Sequence, residues 1–225
     1  NRFKGGLMAQ LADSLALLSE VTYLSPAKLG SVLPKDKNIE VVEHGGFEDY
    51  MRIVLELAPR MDAVVLGAAV ANLIPVNPFK GKFPSHNYRP GDIIPIDFTI
   101  ALRVIDEVKK IAPKTHLFGF KLLDHVPHSE LISAAYDIVL NSGATAVFAN
   151  DAAILNEVYA VTKERGIHPL LRHQLADWIW EMVNDKYYRT FNFDEHLPTE
   201  EDCIGIRQLI SHYSSKFVRV ENGII

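Results

Sequence analysis

The sequence predicts an α/β fold in which helices cover both faces of a mostly parallel sheet. Short apolar runs alternate with stretches of about 10 to 15 residues that repeat apolar side chains at helical spacing. The run at residues 63–66, Ala-Val-Val-Leu, is short and uninterrupted, which is typical of a strand buried on both faces of a parallel sheet. Strands and helices in this order form βαβ units.

The individual elements follow from the same patterns. Helices are predicted at residues 7–18, 47–58, 100–111, 129–140 and 170–183. Ser129 is expected to cap the fourth helix. Strands are predicted at residues 21–24, 39–42, 63–66, 115–120 and 144–149, with 158–162 as the final edge strand. Trp178 and Trp180 are expected to pack at a helix surface or a subunit contact.

Residues 73–97 form a proline-rich segment that also carries Lys80 and Lys82. Its prolines are Pro75, Pro78, Pro84, Pro90 and Pro95. Prolines at this density exclude a helix or a central strand. Loops of about 25 residues in compact domains are usually functional or disordered. The segment is therefore predicted to be a long flap beside a site.

The length of 225 residues and the hydrophobic content of 48% are sufficient for one full core. We predict one domain over residues 1–186 and a small C-terminal appendage over 187–225, packed on it. Within the appendage, strands are predicted at 191–193 and 217–220, and a helix at 204–213, with its start at 199–202. The chain opens at Asn1 as though the first strand of a βα unit were missing.

Composition excludes several functions. The net charge of −5, without any block of Lys or Arg, argues against nucleic acid as a partner. No apolar run approaches the roughly 20 residues that span a bilayer, and the single cysteine permits no internal disulfide or cysteine metal cluster. A cytoplasmic location is expected. His116, His125 and His128 lack metal-ligand spacing and are expected to be structural or surface residues, so no metal site is predicted. The absence of GxSxG, P-loop and GxGxxG motifs disfavours serine hydrolases, P-loop kinases and ordinary dinucleotide-dependent dehydrogenases.

Ligands of parallel sheets bind outside the carboxyl ends of the strands. Residues at three such ends are therefore candidates, namely Gly67, Ala68, Ala69 and Asn72, then Gly119, Phe120 and Lys121, then Ala149 and Asn150. Phe120 either stacks on a planar base or packs in the core, and Asn150 either binds a ligand or forms a turn. The flap lysines either close over a phosphate or oxyanion or are solvated. Backbone N–H groups after Gly5 can hold an anion.

Five motifs in order resemble the phosphopantothenate–cysteine ligase family. They are Asn1-Arg…Gly5, Gly67-Ala-Ala-Val-Ala-Asn72, Lys82, His116-Leu-Phe-Gly-Phe-Lys-Leu-Leu123 and Val147-Phe-Ala-Asn-Asp151. The similarity extends to about residue 184 and is greatest with the stand-alone form, which lacks the flavin-dependent decarboxylase domain.

The resemblance implies a Rossmann-like sheet and a homodimer that joins 4′-phosphopantothenate to cysteine, using CTP or ATP with Mg²⁺ and no flavin. The carboxylate would form an acyl-nucleotidylate, which the cysteine amine then attacks. By matching positions, Asn1 would contact the acyl intermediate, Ala68 would lie close to the substrate, and Lys82, with Lys80 as a neighbour, would be the flap lysine. Gly119, Phe120, Ala149 and Asn150 would build the nucleotide pocket.

Three positions depart from the family pattern. Asn72 stands where aspartate is usual, residues 98–101 read Phe-Thr-Ile-Ala in place of Asn-Pro-Asp-Ile, and residues 133–141 contain no lysine or arginine. These departures motivate an alternative, a nucleotide- or flavin-binding protein of the same fold without ligase activity. An NAD(P)-dependent oxidoreductase is a third alternative, supported only by the architecture.

Overall fold

The computed structural model describes residues 4–26, 30–79, 81–154, 156–164 and 166–184. The helices and strands in these ranges are, in chain order, α1 (Gly6–Leu15), β1 (Thr22–Pro26), β2 (Glu40–His44), α2 (Phe47–Leu57), β3 (Ala63–Leu66), β4 (Leu73–Pro75), β5 (Phe98–Ile100), α3 (Val104–Ile111), β6 (His116–Leu123), α4 (His128–Ser142), β7 (Ala146–Asp151), β8 (Glu157–Thr162), β9 (Ile167–Leu171) and α5 (Leu175–Val183). None of the described helices is long and apolar enough to cross a membrane.

The central sheet has five strands in the order β3-β6-β7-β8-β9. β3, β6 and β7 are parallel, whereas β8 runs antiparallel to β7 and to β9. β1 and β2 form a separate parallel pair. The predicted α/β fold with a mostly parallel sheet is therefore confirmed, and the strand predicted at 63–66 has the observed bounds of β3.

Helices cover both faces of this sheet. Alternate residues of each strand point to opposite sides, so the strands contribute to two separate core clusters. Leu117 and Val147 belong to the core cluster formed with α2, α3 and α4. Phe118 and Phe148 belong to the cluster formed with α1 and α5, where their rings stack at 6.0 Å. Trp178 of α5 meets the edge of Phe148 at 5.5 Å, so its ring lines the core.

The edge of the sheet differs from the prediction. The strand at 158–162 is not the edge strand, because β9 pairs along its other side. The helix predicted at 170–183 begins only at Leu175, since Leu170 and Leu171 belong to β9. Pro169 lies within β9, where an edge strand tolerates a residue that lacks an N–H donor.

Two further boundaries were wrong. The helix predicted at 100–111 begins at Val104, because Ile100 pairs with Leu73 in the antiparallel ribbon of β4 and β5. Ser129 does not cap α4: the residue before this helix is Pro127, and no side chain caps the helix. The predicted elements from residue 187 onward lie outside the described residues.

Candidate functional site

Three parallel strands end at one edge of the sheet. Leu66, the last residue of β3, pairs with Gly119, whereas β6 continues to Leu123 beside β7. Phe120 pairs with Phe148 and Leu122 pairs with Asn150. Ala68, two residues beyond the end of β3, therefore lies at the same edge as Phe120 and Asn150. The strand register thus places the three positions at one edge of the sheet. Their convergence around a nucleotide stays a prediction.

Phe120 lies on the face of the sheet that α1 and α5 cover. Its ring is 5.0 Å from that of Phe148, at a tilt of 42°, and the residue stays partly exposed. Packing within the core is thus observed for one side of the ring. Stacking of its remaining surface on a base stays a prediction.

Asn150 is the polar residue of this edge that is most removed from water. Only 6% of it is exposed, and its side-chain amide forms no hydrogen bond with any residue that the structure describes. It lies inside β7 and is not a turn residue. The amide nevertheless keeps some contact with solvent. Its donor and acceptor can therefore meet a polar group that enters at this edge of the sheet.

Asp151, next to Asn150, fixes the loop between β6 and α4. Its Oδ1 accepts hydrogen bonds from the backbone N–H of Ala153 at 2.8 Å and of His125 at 3.0 Å, and its Oδ2 accepts one from Val126 at 3.2 Å. These donors, that of Ala153 foremost, hold the pKa of the Asp151 carboxyl below its ordinary value. The carboxylate is therefore a structural group that braces the edge beside Asn150.

The first turn of α1 reaches the same edge through Gly67. A β-carbon on Gly67 would come within 2.6 Å of Met8 Cγ, so the absence of a side chain lets α1 approach the end of β3. Gly5 precedes α1 with a φ of 80°, in the left-handed region that favours glycine. No acidic residue lies in the first turn, and no described side chain caps the helix. Its N–H groups thus present a partial positive charge near the edge.

The other candidates at the strand ends differ in accessibility. Gly119 faces α3, where a β-carbon would come within 2.5 Å of Ile105 Cδ1. Ala149 is completely buried, so its contribution to a pocket would be its small size. Lys121 is partly exposed and forms no ion pair with a described residue. Their roles in nucleotide binding stay predictions.

The segment after β3 leaves the sheet as an exposed arm. Ala68, Ala69 and Asn72 are exposed, and the Asn72 carbonyl accepts a hydrogen bond from the Ala101 N–H at 2.9 Å. This bond and the β4–β5 ribbon close the base of the arm. The proline-rich segment is thus mostly irregular, as predicted, but a short strand pair anchors it.

Inside the arm, three aromatic rings that flank Lys82 in sequence form a small cluster. Phe83 contacts Phe79 edge-on at 5.0 Å and stacks on Tyr88 at 5.3 Å. Lys82 itself is exposed and has no hydrogen bond or ion pair with the described residues, so the structure does not join it to the sheet edge. Lys80 and Asn1 lie outside the described residues.

The histidines that were expected to be structural contact other protein groups. His125 Nδ1 is 2.7 Å from Asp124 Oδ1, the ring of His128 lies 4.6 Å from that of Tyr159, and His116 Nδ1 is 3.5 Å from Thr145 Oγ1. The described part of the chain contains no group of three or more His, Cys, Asp or Glu side chains that could hold a metal ion.

Two contributors to the site were not predicted from the sequence. The role of Asp151 had a signal, because an Asn-Asp pair at a strand end often bonds to neighbouring backbone. The contact between Met8 and Gly67 had none, since it joins an ordinary helical residue to a distant glycine.

Comparison with known proteins gives a partial sequence match. No family model matches the chain. The coenzyme A biosynthesis bifunctional protein CoaBC of Thermococcus kodakarensis is 28% identical over 130 residues, which cover 55% of this chain and 31% of that protein. The match therefore spans less than a third of this curated relative.

Solved structures share the fold over most of the chain. The DNA/pantothenate metabolism flavoprotein from Streptococcus pneumoniae has a TM-score of 0.68 at 19% identity and covers 81% of this chain and 89% of its own. The C-terminal domain of a coenzyme A biosynthesis bifunctional protein CoaBC has a TM-score of 0.62 at 18% identity, with 81% and 84% covered. A Cab2 mutant in complex with phosphopantothenate-cysteine has a TM-score of 0.69 at 13% identity, with 84% and 80% covered.

These likenesses show the class of protein: it has a Rossmann-like α/β fold that is shared with proteins named for pantothenate metabolism and for coenzyme A biosynthesis. Together with the CoaBC relative, they confirm the resemblance to the phosphopantothenate–cysteine ligase family that the sequence motifs indicated.

Proposed function

We propose that this chain joins 4′-phosphopantothenate to cysteine, using CTP or ATP, through an acyl-nucleotidylate intermediate. The observation that carries the proposal is the amide of Asn150, which forms no hydrogen bond with the described residues and lies at the sheet edge reached by Ala68 and Phe120. The match to CoaBC and the fold shared with a protein that binds phosphopantothenate-cysteine support this choice of substrates.

The proposed chemistry has two balanced steps. A carboxylate oxygen of phosphopantothenate attacks the α-phosphorus, the bond to the β-phosphate bridge breaks, and pyrophosphate leaves. The neutral cysteine amine then attacks the acyl carbon, the nucleoside monophosphate leaves with the electron pair of its bond to that carbon, and the amine proton passes to solvent. Both steps develop negative charge on phosphoryl or carbonyl oxygens, so they require positive charge and N–H donors more than an acid or a base.

The edge of the sheet offers such donors. In the proposal, the N-terminus of α1 faces the phosphates from one side of the sheet. Lys121, which has no ion pair among the described residues, approaches them from the other side, over the end of the strands. The Asn150 amide holds a polar group of the base or the acyl intermediate, and Phe120 stacks on the base. Lys82 closes over the reacting centre when the arm moves. Asn1 would contact the acyl intermediate, as the family motif implies.

Magnesium enters the proposal with the nucleotide. Mg²⁺ in such sites is bound largely by substrate phosphates and water. The described residues form no cluster of three or more metal-binding side chains. Most ligands of the ion would therefore come from the nucleotide and water. The cytoplasmic location remains part of the proposal.

A homodimer is also proposed, with the arm as its contact surface. Ile93 is 93% exposed and Ile100 of β5 is 75% exposed. Large apolar side chains with such high exposure are candidates for an interaction surface. Ile93→Glu should convert a dimer to a monomer in sedimentation experiments, whereas Leu17→Glu, which changes an exposed leucine on the turn after α1, should not. A wild-type monomer at micromolar concentration would refute the dimer.

The second candidate is a nucleotide- or flavin-binding protein without ligase activity. It is favoured by the absence of lysine and arginine over residues 133–141, a stretch inside α4, and by the neutral Asn72. One of the structures with this fold is named a flavoprotein.

Release of pyrophosphate separates the two candidates. The ligase proposal predicts release from CTP or ATP that depends on both phosphopantothenate and cysteine, with formation of the amide detected by mass spectrometry. Nucleotide or flavin binding without any release would support the second candidate. If neither binding nor release occurs, both candidates fail.

A further inference from the structure

A groove of about 460 Å³ lies between α1 and the end of β9. None of the side chains assigned above to the ligase site lines it, although Leu7 belongs to the first turn of α1. One wall is apolar and consists of Leu7 and Leu11 of α1 and Leu171 of β9. The polar lining comes from Gln10, Ser14, Asn156, Arg172 and His173. The lining contains no carboxylate, so its charge is positive or neutral throughout.

Arg172 is the charged residue of this groove that lacks a counter-ion among the described residues. Its Nε is shielded from solvent and has no hydrogen-bond partner in the described ranges. It also forms no ion pair with any carboxylate in the described ranges. By contrast, Arg52 on α2 pairs with Asp49 at 2.7 Å and with Glu56 at 3.1 Å. A shielded guanidinium donor without a partner is destabilising unless a ligand or water satisfies it.

The groove opens at the ligand-binding edge of the sheet. Because β8 is antiparallel to both β7 and β9, the carboxyl end of β9 lies at the same edge as the carboxyl end of β7. Arg172 directly follows β9, and Asn156 lies in the connection between β7 and β8. Two segments that are distant from α1 in sequence therefore place the Arg172 guanidinium and the Asn156 amide beside the first turns of α1.

We propose that this groove binds the phosphoryl group of a small organic phosphate, with Arg172 as the main cation. Arg172, His173, the two amides and the Ser14 hydroxyl offer more donors than a planar carboxylate can accept, whereas a phosphoryl group presents three strong acceptor oxygens. The leucine wall contacts the apolar part of the ligand. The groove binds in this way whether or not the chain is a ligase.

Phenyl phosphate tests this site, because it joins a phosphoryl group to a small apolar ring. Titration calorimetry of the full chain at low ionic strength should show binding that Arg172→Gln weakens by about tenfold or more. Arg60→Gln is the matched control, since Arg60 is exposed and has no ion pair among the described residues, and it should change the affinity by less than about twofold. Benzoate, which has the same ring with a carboxylate, should bind more weakly than phenyl phosphate.

A second variant keeps the test valid if Arg172→Gln does not fold. Gln10 is exposed on α1, so Gln10→Glu adds a negative charge to the groove without changing side-chain size. It should weaken phenyl phosphate binding by about fivefold through charge repulsion. The proposal is overturned if wild-type protein does not bind phenyl phosphate, if either groove variant binds as wild type does, or if benzoate binds equally well.

Discussion

Met8, in the first turn of α1, occupies the space where a side chain on Gly67 would lie. This contact sets how closely the helix approaches the end of β3. It therefore also positions the N-terminus of α1 relative to the candidate site.

Replacing Gly67 with alanine should force the Met8 side chain to change its conformation. Overpacking costs about 1–3 kcal/mol of unfolding free energy, and we expect the lower end of this range because the Met8 side chain is flexible. In a Met8→Ala background the same substitution should cost less, and urea denaturation of the four proteins measures this coupling. Gly6→Ala is the control, because no atom lies within 4 Å of its added carbon. Equal costs of Gly67→Ala in both backgrounds would contradict the proposed contact.

Asn150→Ala should separate ligand binding from stability. Since the amide has no hydrogen bond to a described residue, its removal should change the unfolding free energy by less than about 1 kcal/mol. Nucleotide affinity, measured by calorimetry, should fall about tenfold or more. A large loss of stability with unchanged affinity would assign Asn150 to the framework.

Lys82→Gln should lower turnover while nucleotide affinity stays nearly unchanged. An exposed arm lysine that acts only when the arm closes stabilises the transition state more than the bound ground state. We expect a loss of kcat of about tenfold or more, with the nucleotide Kd changed by less than about threefold. Lys114→Gln, in an exposed turn at the opposite end of β6, is the control and should leave both values unchanged. A kcat that is unaffected by Lys82→Gln would remove this lysine from the site.

Asp151→Asn should destabilise the protein in a pH-dependent way. The folded pKa of this carboxyl is lowered, so its contribution to stability is complete above its unfolded value, about 4, and is lost as the pH falls through the folded value. The difference in urea midpoint between wild type and variant should therefore be largest near neutral pH and shrink in acid. Carbon-detected NMR titration of the wild-type carboxyl gives the pKa directly, and an ordinary value would contradict this role of the carboxylate.

Most of the fold was predictable because the spacing of apolar residues along the chain indicates which side chains are buried. The buried run of β3 and the amphipathic pattern of α2 were located within one residue of their observed ends. Ile100 was misassigned because its apolar side chain fits the helical repeat of α3, whereas its strand pairing depends on Leu73, far away in sequence. β9 was missed for the same reason. Its residues Leu170 and Leu171 fit the apolar repeat of α5, so they were assigned to that helix.

The candidate site was predictable only as a set of strand ends. Strand order then placed Ala68, Phe120 and Asn150 at one edge. The sequence could not reveal that, within the described part of the chain, the Asn150 amide forms no hydrogen bond and Arg172 has no counter-ion. Both properties depend on which groups the fold brings together.

The bonds from Asp151 to the backbone of Ala153, His125 and Val126 tie the end of β7 to the loop before α4. This part of the site is consequently preorganised, so a ligand that meets Asn150 loses little conformational entropy there. The entropic cost of binding falls instead on the arm, and variants that stiffen the arm should change affinity more than variants that stiffen the sheet.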